Sequence, residues 1–214
     1  MLQLRKEIKK IQGELNFFPD EEKQEKFLIY LNYLLEYNKK INLTSFNKIE
    51  DFLRHNSFDF FPLLEKNFCN LFIDIGAGAG FLTVPLSIFN EDLKIIALEP
   101  NKKRGFFLNM IRYKLNLKFE IWEKRLEESI KFFPKEPLSF LVKALPKKEK
   151  ILPFLSSKWK YPHNLFYFAG KNYKDLINNL KICYSFKEMI KIPLRDDSFI
   201  LIFENVSCET WEKL

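Results

Sequence analysis

The sequence is poor in residues that form disulfides or bind metal ions. Among its 214 residues are three cysteines and two histidines. Cys69, Cys183 and Cys208 are far apart in the chain and form no C-x-x-C pair, so the sequence suggests neither a disulfide framework nor a zinc site. With His55 and His163 as the only histidines, we expect no metal site.

Long apolar runs and targeting signals are also missing. No stretch of about 18 apolar residues is available to cross a membrane, and the N-terminus mixes both charge signs without an apolar signal core. Hydrophobic residues make up 47% of the chain and charged residues 29%, which is normal for a protein that buries a core. We therefore expect a cytoplasmic protein with no membrane partner.

Negative charge is in the minority, since the net charge is +7 and the pI is about 9.1. Such a surface attracts polyanions, nucleic acids among them. A lysine-rich protein without a nucleic-acid partner would have the same charge. Charge alone therefore does not decide between these two interpretations.

Residues 1–66 have the pattern of a helical extension. Apolar residues recur at helical spacing at Phe27, Leu28, Leu31, Leu34 and Leu35. Asp20 and the two glutamates after it stand where the start of a helix favours acidic side chains. The segment Asn42–Ser45 breaks the pattern, and a shorter helix is expected from about Ile49 to Phe60.

Short apolar runs alternate with helical stretches in residues 67–214. The expected strands are 71–75, 93–99, 118–122, 139–142 and 165–169, and the expected helices are 82–88, 101–115, 126–133, 147–155 and 173–181. Such alternation predicts a doubly wound, Rossmann-like α/β domain with a mostly parallel sheet of seven strands. Residues 182–190 and 198–203 should close one edge as an antiparallel hairpin, which favours the methyltransferase variant of this fold.

The loop after the first expected strand has the pattern of a cofactor-binding turn. Its glycines, Gly76, Gly78 and Gly80, allow positive φ angles and a close approach of the backbone to a ligand, where doubly wound sheets bind ligands. Phe81 stands where a dinucleotide fingerprint has its third glycine. The G-x-G-x-G spacing favours S-adenosylmethionine over a dinucleotide, although a tight structural turn would need similar glycines.

Acidic residues further along support a cofactor site. Glu99 ends the second strand, 23 residues after Gly76, where a carboxylate can accept both hydroxyl groups of an adenosine ribose. Asp74 is placed to hold the methionine amino group, directly or through water, and Arg125–Glu127 should lie against the adenine. As structural alternatives, Glu99 would be a solvated acid at a strand end, and Asp74 would cap the glycine turn.

A set of motifs spanning roughly residues 40–145 points to a family. The motifs are Asn42–Thr44, His55, Asp74–Phe81, Pro85–Ile88, Glu99, Lys102–Lys103 and Arg125–Glu127. Together they resemble the RsmG (GidB) family of bacterial 16S ribosomal RNA guanine-N7 methyltransferases. The chain departs from the family at Lys143–Ala144, where the family has Arg-Ala with the arginine reaching the cofactor pocket, and at Asn56–Asp59, where it has Asp-Ser-Leu.

The resemblance implies a set of cofactor contacts that includes Gly76, Phe81, Leu126 and Glu127. With the residues argued above, the expected cofactor-binding residues are Asp74, Gly76, Gly78, Gly80, Phe81, Glu99, Leu126, Glu127 and Lys143. The implied reaction transfers a methyl group from S-adenosylmethionine to N7 of a guanosine in the decoding-region (530) loop of 16S rRNA. The acceptor would be 16S rRNA or the small ribosomal subunit, and we expect a monomer.

The sequence lacks the residues that methylation at other base atoms would need, which agrees with methylation at N7. N7 carries a lone pair and no proton, so alignment and exclusion of water suffice and no catalytic base is expected. Lys143–Pro146, after the fourth strand, is not the Asn/Asp-Pro-Pro-aromatic loop used for exocyclic amines. No cysteine falls in the loops after the fourth and fifth strands, where a nucleophile for C5 methylation would be needed.

Basic residues supply candidates for the acceptor side. Lys143 is a candidate contact between cofactor and acceptor, unless it is a solvated lysine at a strand end. Lys102–Arg104 form a cluster on the cofactor rim, and His55 either lines the pocket or is structural. A basic run interleaved with aromatics could also face RNA; it consists of Lys147, Lys148, Lys150, Lys158, Trp159, Lys160 and Tyr161.

Three alternatives to N7 methylation stay open. The chain could methylate another RNA position, or it could be a non-catalytic RNA-binding protein that keeps this fold. A NAD-dependent oxidoreductase is the third alternative, and both Phe81 and the C-terminal hairpin speak against it.

Overall fold

A seven-stranded, mostly parallel sheet organises the chain, which confirms the predicted Rossmann-like α/β class. The computed structural model describes residues 2–46, 49–64, 70–144, 148–180 and 184–205. The strands are β1 (Leu71–Ile75), β2 (Lys94–Leu98), β3 (Phe119–Trp122), β4 (Leu138–Lys143), β5 (His163–Ala169), β6 (Tyr184–Lys191) and β7 (Phe199–Asn205). Cys69, Cys183 and Cys208 lie outside the described residues.

The strand order is β3-β2-β1-β4-β5-β7-β6. The first five strands are parallel, and β7 runs antiparallel to both β5 and β6. The predicted hairpin is therefore confirmed, with β7 inside the sheet and β6 at its edge. Every residue of β1 is buried, as expected for a strand covered on both faces.

The helices before the sheet follow the predicted pattern at first and then depart from it. They are α1 (Leu2–Glu14), α2 (Glu21–Ile41), α3 (Ile49–Phe52), a π-helical turn at Leu53–Ser57 and α4 (Phe61–Leu64). The predicted start of α2 is confirmed, because the Asp20 side chain accepts from the backbone N–H of Lys23 at 2.8 Å. The single helix predicted from Ile49 to Phe60 was wrong, because α-helical bonding gives way to the wider π turn after Phe52.

The remaining helices connect the strands. They are α5 (Thr83–Phe89), α6 (Lys102–Leu115), α7 (Leu126–Ser129) with a 3₁₀ turn at Ile130–Phe132, α8 (Lys148–Lys158) and α9 (Tyr173–Leu180). The helix predicted to reach Phe133 ends early, because Phe133 precedes Pro134 and is extended, with ψ 145°. Across the described residues, no helix combines the length and apolarity that a membrane crossing needs.

Two apolar cores lie on the two faces of the sheet. In one of them, Phe27 of α2 packs within 5.3–5.8 Å of the rings of Phe58, Phe60 and Phe89, measured between centroids. Such edge-on aromatic contacts add about 0.5–1.5 kcal/mol each to the burial of the rings. The helices before the sheet thus share a core with α5, and the domain boundary expected after residue 66 stays a prediction.

Candidate functional site

The strand order reverses at β1, because β2 follows on one side of it and β4 later joins on the other side. Doubly wound sheets have a ligand-binding crevice at such a point, beyond the carboxyl ends of the strands, which here are those of β1, β2 and β4. The glycine loop, residues 74–80, lies at this point. The backbone N–H groups of Gly76 and Ala77 both donate to the carbonyl of Leu98, at 2.9 and 3.0 Å. These bonds tie the start of the loop to the end of β2.

The three glycines of the loop have positive φ, but their surroundings differ. The φ angles are 72° at Gly76, 61° at Gly78 and 83° at Gly80. A Cβ added at Gly78 would meet open space, with the carbonyl oxygen of Gly76 at 3.8 Å. A Cβ added at Gly80 would come within 2.7 Å of Leu108 and Val84. The structure therefore places Gly78 beside open space and Gly80 in the packing between the loop and α6.

Glu99 lies beneath the loop and is 3% exposed. One carboxylate oxygen accepts from the backbone N–H of Gly78 at 2.7 Å, and the other accepts from that of Asn101 at 2.8 Å. A carboxylate has about four acceptor positions, so each oxygen can take a further hydrogen bond from a ribose hydroxyl. Glu99 thus orders the loop, and the alternative of a solvated strand-end acid is wrong.

Asp74, at the end of β1, is 3% exposed and accepts a hydrogen bond from the Thr83 hydroxyl at 2.6 Å. Burial raises the pKa of Asp74 to about 6, and the Thr83 hydrogen bond and the charge of Lys143 act against this rise. The Tyr30 hydroxyl of α2 donates to the carbonyl of Ala79 at 3.1 Å. Neither Thr83 nor Tyr30 was predicted as a site residue, because neither belongs to a recognisable motif.

On the β4 side of the crevice lies a charge cluster that we call the Asp59 cluster, formed by Asp59, Lys143 and Arg195. Asp59 Oδ2 lies 2.8 Å from Lys143 Nζ and 3.1 Å from a guanidinium nitrogen of Arg195. The same nitrogen donates to the carbonyl of His55 at 2.9 Å. The cluster joins the π turn region, the end of β4 and the turn before β7, and it holds two cations against one carboxylate.

Lys143 is enclosed within this cluster. Its side chain is 14% exposed, and Nζ lies 5.0 Å from the centre of the Phe81 ring. Burial lowers the pKa of Lys143, and the neighbouring Asp59 carboxylate opposes this effect. The alternative of a solvated lysine at a strand end is therefore wrong. The pairing of Asp59 with Arg195 was not predicted, because the two residues are separated by 136 positions along the chain.

Other predicted site residues lie further along the same edge of the sheet. Leu126 is buried and Glu127 is exposed in the first turn of α7, directly after β3. The ring of His55 is exposed and stacks on Phe46, with 5.5 Å between centroids and 1° between planes. This stacking gives His55 a structural contact, while its carbonyl serves the Asp59 cluster.

The described residues of the basic run predicted after Lys143 do not face the crevice. Trp159 is 5% exposed, and its ring packs on Phe133 and Phe140, so it cannot stack on a base. Lys158 and Lys160 are exposed, but they precede β5 and lie at the amino ends of the parallel strands, opposite the crevice. Lys147 and the side chains of Lys148 and Lys150 fall outside the described part of the chain.

Sequence comparison shows which known proteins this chain resembles. Residues 23–195 match the family model described as rRNA small subunit methyltransferase G, GidB. A protein of Aquifex aeolicus (strain VF5) named ribosomal RNA small subunit methyltransferase G is 31% identical over 183 residues, which cover 82% of this chain and 91% of that protein. A protein of the same name from Mycoplasma mobile (strain ATCC 43663 / 163K / NCTC 11711) is 30% identical over 183 residues, covering 80% of both chains.

Solved structures share the fold at low sequence identity. The crystal structure of a SAM-dependent methyltransferase from Aquifex aeolicus superposes with a TM-score of 0.55 and 16% identity, over 73% of this chain and 93% of that one. At this identity the superposition bears on the fold, and the sequence matches bear on the family.

Proposed function

Because the chain belongs to the rRNA small subunit methyltransferase G (GidB) family, we propose that it methylates N7 of a guanosine in the decoding-region (530) loop of 16S rRNA. The protein is an rRNA methyltransferase, and its cofactor is S-adenosylmethionine. We propose that it acts in the cytoplasm as a monomer, on 16S rRNA or on the small ribosomal subunit.

The open space beside Gly78, next to the buried carboxylate of Glu99, is the observation that carries this proposal. The backbone at Gly78 can approach a ligand closely, because the residue has no side chain and space is available beside it. Glu99 can accept from the ribose hydroxyls with the acceptor positions that Gly78 and Asn101 leave available. The site therefore suits a ligand with a ribose and no pyrophosphate.

Other groups on the same edge suit the remaining parts of the cofactor. In its ionised form, Asp74 can hold the methionine ammonium group. Leu126 and Glu127, after β3, would lie along the adenine, with Leu126 buried and Glu127 exposed. When bound, the cofactor supplies a sulfonium-linked methyl group, whose transfer breaks the sulfur–carbon bond, forms the N7–carbon bond and leaves a cationic guanine.

The chain's own residues need only position the acceptor and keep water out. N7 has no proton to lose, so no side chain has to act as a base. Lys143 is the proposed acceptor contact, because its ammonium group is held between Asp59 and the Phe81 ring at the β4 side of the crevice. From there it can donate a hydrogen bond to guanine O6, which neighbours N7, or to a phosphate oxygen.

Transfer of a labelled methyl group tests this proposal. Purified protein is incubated with labelled S-adenosylmethionine and either naked 16S rRNA or 30S subunits that lack the modification. We expect incorporation into at least one of the two, with a preference that identifies the natural substrate. Binding of S-adenosylmethionine in calorimetry without incorporation into either RNA would contradict the proposal and favour a non-catalytic role.

A further inference from the structure

One surface beside the cofactor crevice concentrates positive charge from two helices. Lys39 and Lys40 lie in the last turn of α2, and Lys102, Lys103 and Arg104 lie in the first turn of α6. The four lysines are exposed and Arg104 is half-buried. We call these five side chains, with Tyr37 and Phe106 between them, the α2–α6 basic surface.

The two helices meet at two adjoining hollows. A hollow of about 680 Å³ is lined by Lys39 and Arg104 together with the polar loop that follows α2, and that loop contributes Asn42, Thr44 and Ser45. A second hollow, of about 320 Å³, is lined by Tyr37, Lys40, Ile41, Lys102, Lys103 and Phe106. Cations thus line both hollows, and the polar groups of the first hollow can hydrogen-bond to phosphate and sugar.

Local structure does not explain the charges of α6. The amino end of a helix carries a partial positive charge and favours acidic residues. Helix α2 follows this rule, with Glu21 and Glu22 in its first turn, whereas the first turn of α6 contains three cations and no acid. Within the described part of the chain, none of the five cations takes part in an ion pair. The surface therefore holds unbalanced positive charge that an anionic partner would neutralise.

Aromatic rings lie among these cations. Phe106 is 62% exposed, and Lys40 Nζ lies 5.4 Å from the centre of the half-buried Tyr37 ring. Exposed rings beside cations are typical of surfaces that bind single-stranded RNA, where bases stack on the rings and phosphates pair with the cations. This combination matches the RNA substrate of the proposed function.

The surface is continuous with the cofactor site. The backbone N–H of Asn101 donates to Glu99, and the Asn101 side chain caps α6 by accepting from the N–H groups of Lys103 and Arg104. We propose that the α2–α6 basic surface binds the backbone of the substrate RNA loop beside the target guanosine, with Phe106 stacking on an unpaired base, an inference that rests on the proposed function. RNA thus reaches the crevice from the α2–α6 side of the molecule.

The test compares paired variants of the full chain that remove equal charge. Lys102→Gln with Lys103→Gln removes two cations from the surface, and Lys158→Gln with Lys160→Gln removes two from the opposite edge of the sheet. Affinity for a 16S rRNA fragment that contains the target loop is measured at several salt concentrations, and calorimetry measures S-adenosylmethionine affinity.

We expect the first pair to weaken RNA binding at least about tenfold at low salt and to reduce the salt-dependence slope by about 1.4, the value for two contacts to single-stranded RNA. S-adenosylmethionine affinity should stay unchanged, and the second pair should bind RNA like the native chain. Equal losses in both pairs would overturn the proposal, because they would reflect overall charge. Unchanged binding in the first pair would overturn it as well.

The proposed stacking of Phe106 on a base is tested with a control substitution on the same helix, α6. Phe106→Ala should weaken RNA binding about tenfold, whereas Tyr113→Ala, which removes a ring that is 91% exposed at the other end of the helix, should not. An equal effect of the two substitutions would contradict the stacking role. If the native protein binds the fragment but transfers no methyl group to 16S rRNA or to 30S subunits, the proposed function is wrong. The binding comparisons would still decide the proposal for the surface.

Discussion

Two buried acids below the glycine loop show how single residues set the properties of this site. Glu99 accepts from the backbone N–H groups of Gly78 and Asn101, and Asp74 accepts from the hydroxyl and the backbone of Thr83. Burial is the largest influence on the pKa of Asp74 and raises it from 3.8 to about 6, although the bonds from Thr83 oppose this rise. The folded state holds this proton more tightly than the unfolded chain, so the Asp74 contribution to stability falls as pH rises from about 4 to about 6.

This pKa predicts a pH dependence of cofactor binding. If ionised Asp74 holds the ammonium group of S-adenosylmethionine, affinity should be about tenfold weaker at pH 5 than at pH 7, because protonation removes the acceptor charge. Calorimetric titrations at several pH values measure this change. In Asp74→Asn, affinity should be low at both pH values. A native affinity that does not change between pH 5 and pH 7 would contradict the role of Asp74.

The glycines of the loop predict two different mutant effects. Gly80→Ala should mainly destabilise the fold, because the new methyl group would overlap Leu108 and Val84 at a φ of 83°. Gly78→Ala should mainly weaken S-adenosylmethionine binding, by at least about tenfold, because its methyl group would enter the open space on the ligand side. The φ of 61° at this position should lower the stability of the fold by about 1 kcal/mol. Thermal unfolding and calorimetry separate the two effects. Normal cofactor affinity in Gly78→Ala would mean that the loop is only a turn.

At the scale of elements, the Asp59 cluster connects segments that the sequence does not pair. Asp59 follows the π turn, Lys143 ends β4, and Arg195 lies in the turn before β7. Among the described side chains, only the buried Asp59 carboxylate forms ion pairs with both Lys143 and Arg195. Removal of its charge would leave both partly buried cations without their ion-pair partner.

Asp59→Asn should therefore lower the free energy of unfolding by about 3 kcal/mol, measured by chemical denaturation. Asp20→Asn is the matched control, because asparagine caps a helix as well as aspartate does and Asp20 is exposed at the start of α2. Equal stability of the native chain and Asp59→Asn would show that the cluster does not stabilise the fold.

Sequence patterns predict most of the elements and fail for identifiable physical reasons. The apolar run of β1 and the cap at Asp20 are local signals, and both are confirmed. The π turn after Phe52 has no such signal, because its extra residue is stabilised by the surrounding packing. The burial of Trp159 depends on contacts with Phe133 and Phe140, which only the assembled sheet brings together.

At the scale of the whole molecule, the crevice combines predictable and unpredictable parts. The proposed cofactor side follows from the glycine spacing and from Glu99, because consecutive parallel strands end at the same edge of a sheet. The acceptor side does not, since Asp59 and Arg195 meet only after the helices before the sheet and the C-terminal hairpin have packed together. The α2–α6 basic surface likewise needs two helices that are separated in the chain by α3, the π turn, α4, β1, α5 and β2.

Mass mapping of the modified nucleotide is the most direct test of guanine N7 methylation in 16S rRNA by this protein. Unmodified 30S subunits or 16S rRNA are treated with the protein and S-adenosylmethionine, and the digested RNA is analysed by mass spectrometry and by the strand cleavage that 7-methylguanosine permits after reduction and aniline treatment. We expect one methyl group on one guanosine of the 530 loop, with cleavage at that nucleotide. A methyl group on another base or another atom, or no methyl group in either substrate, would contradict the account.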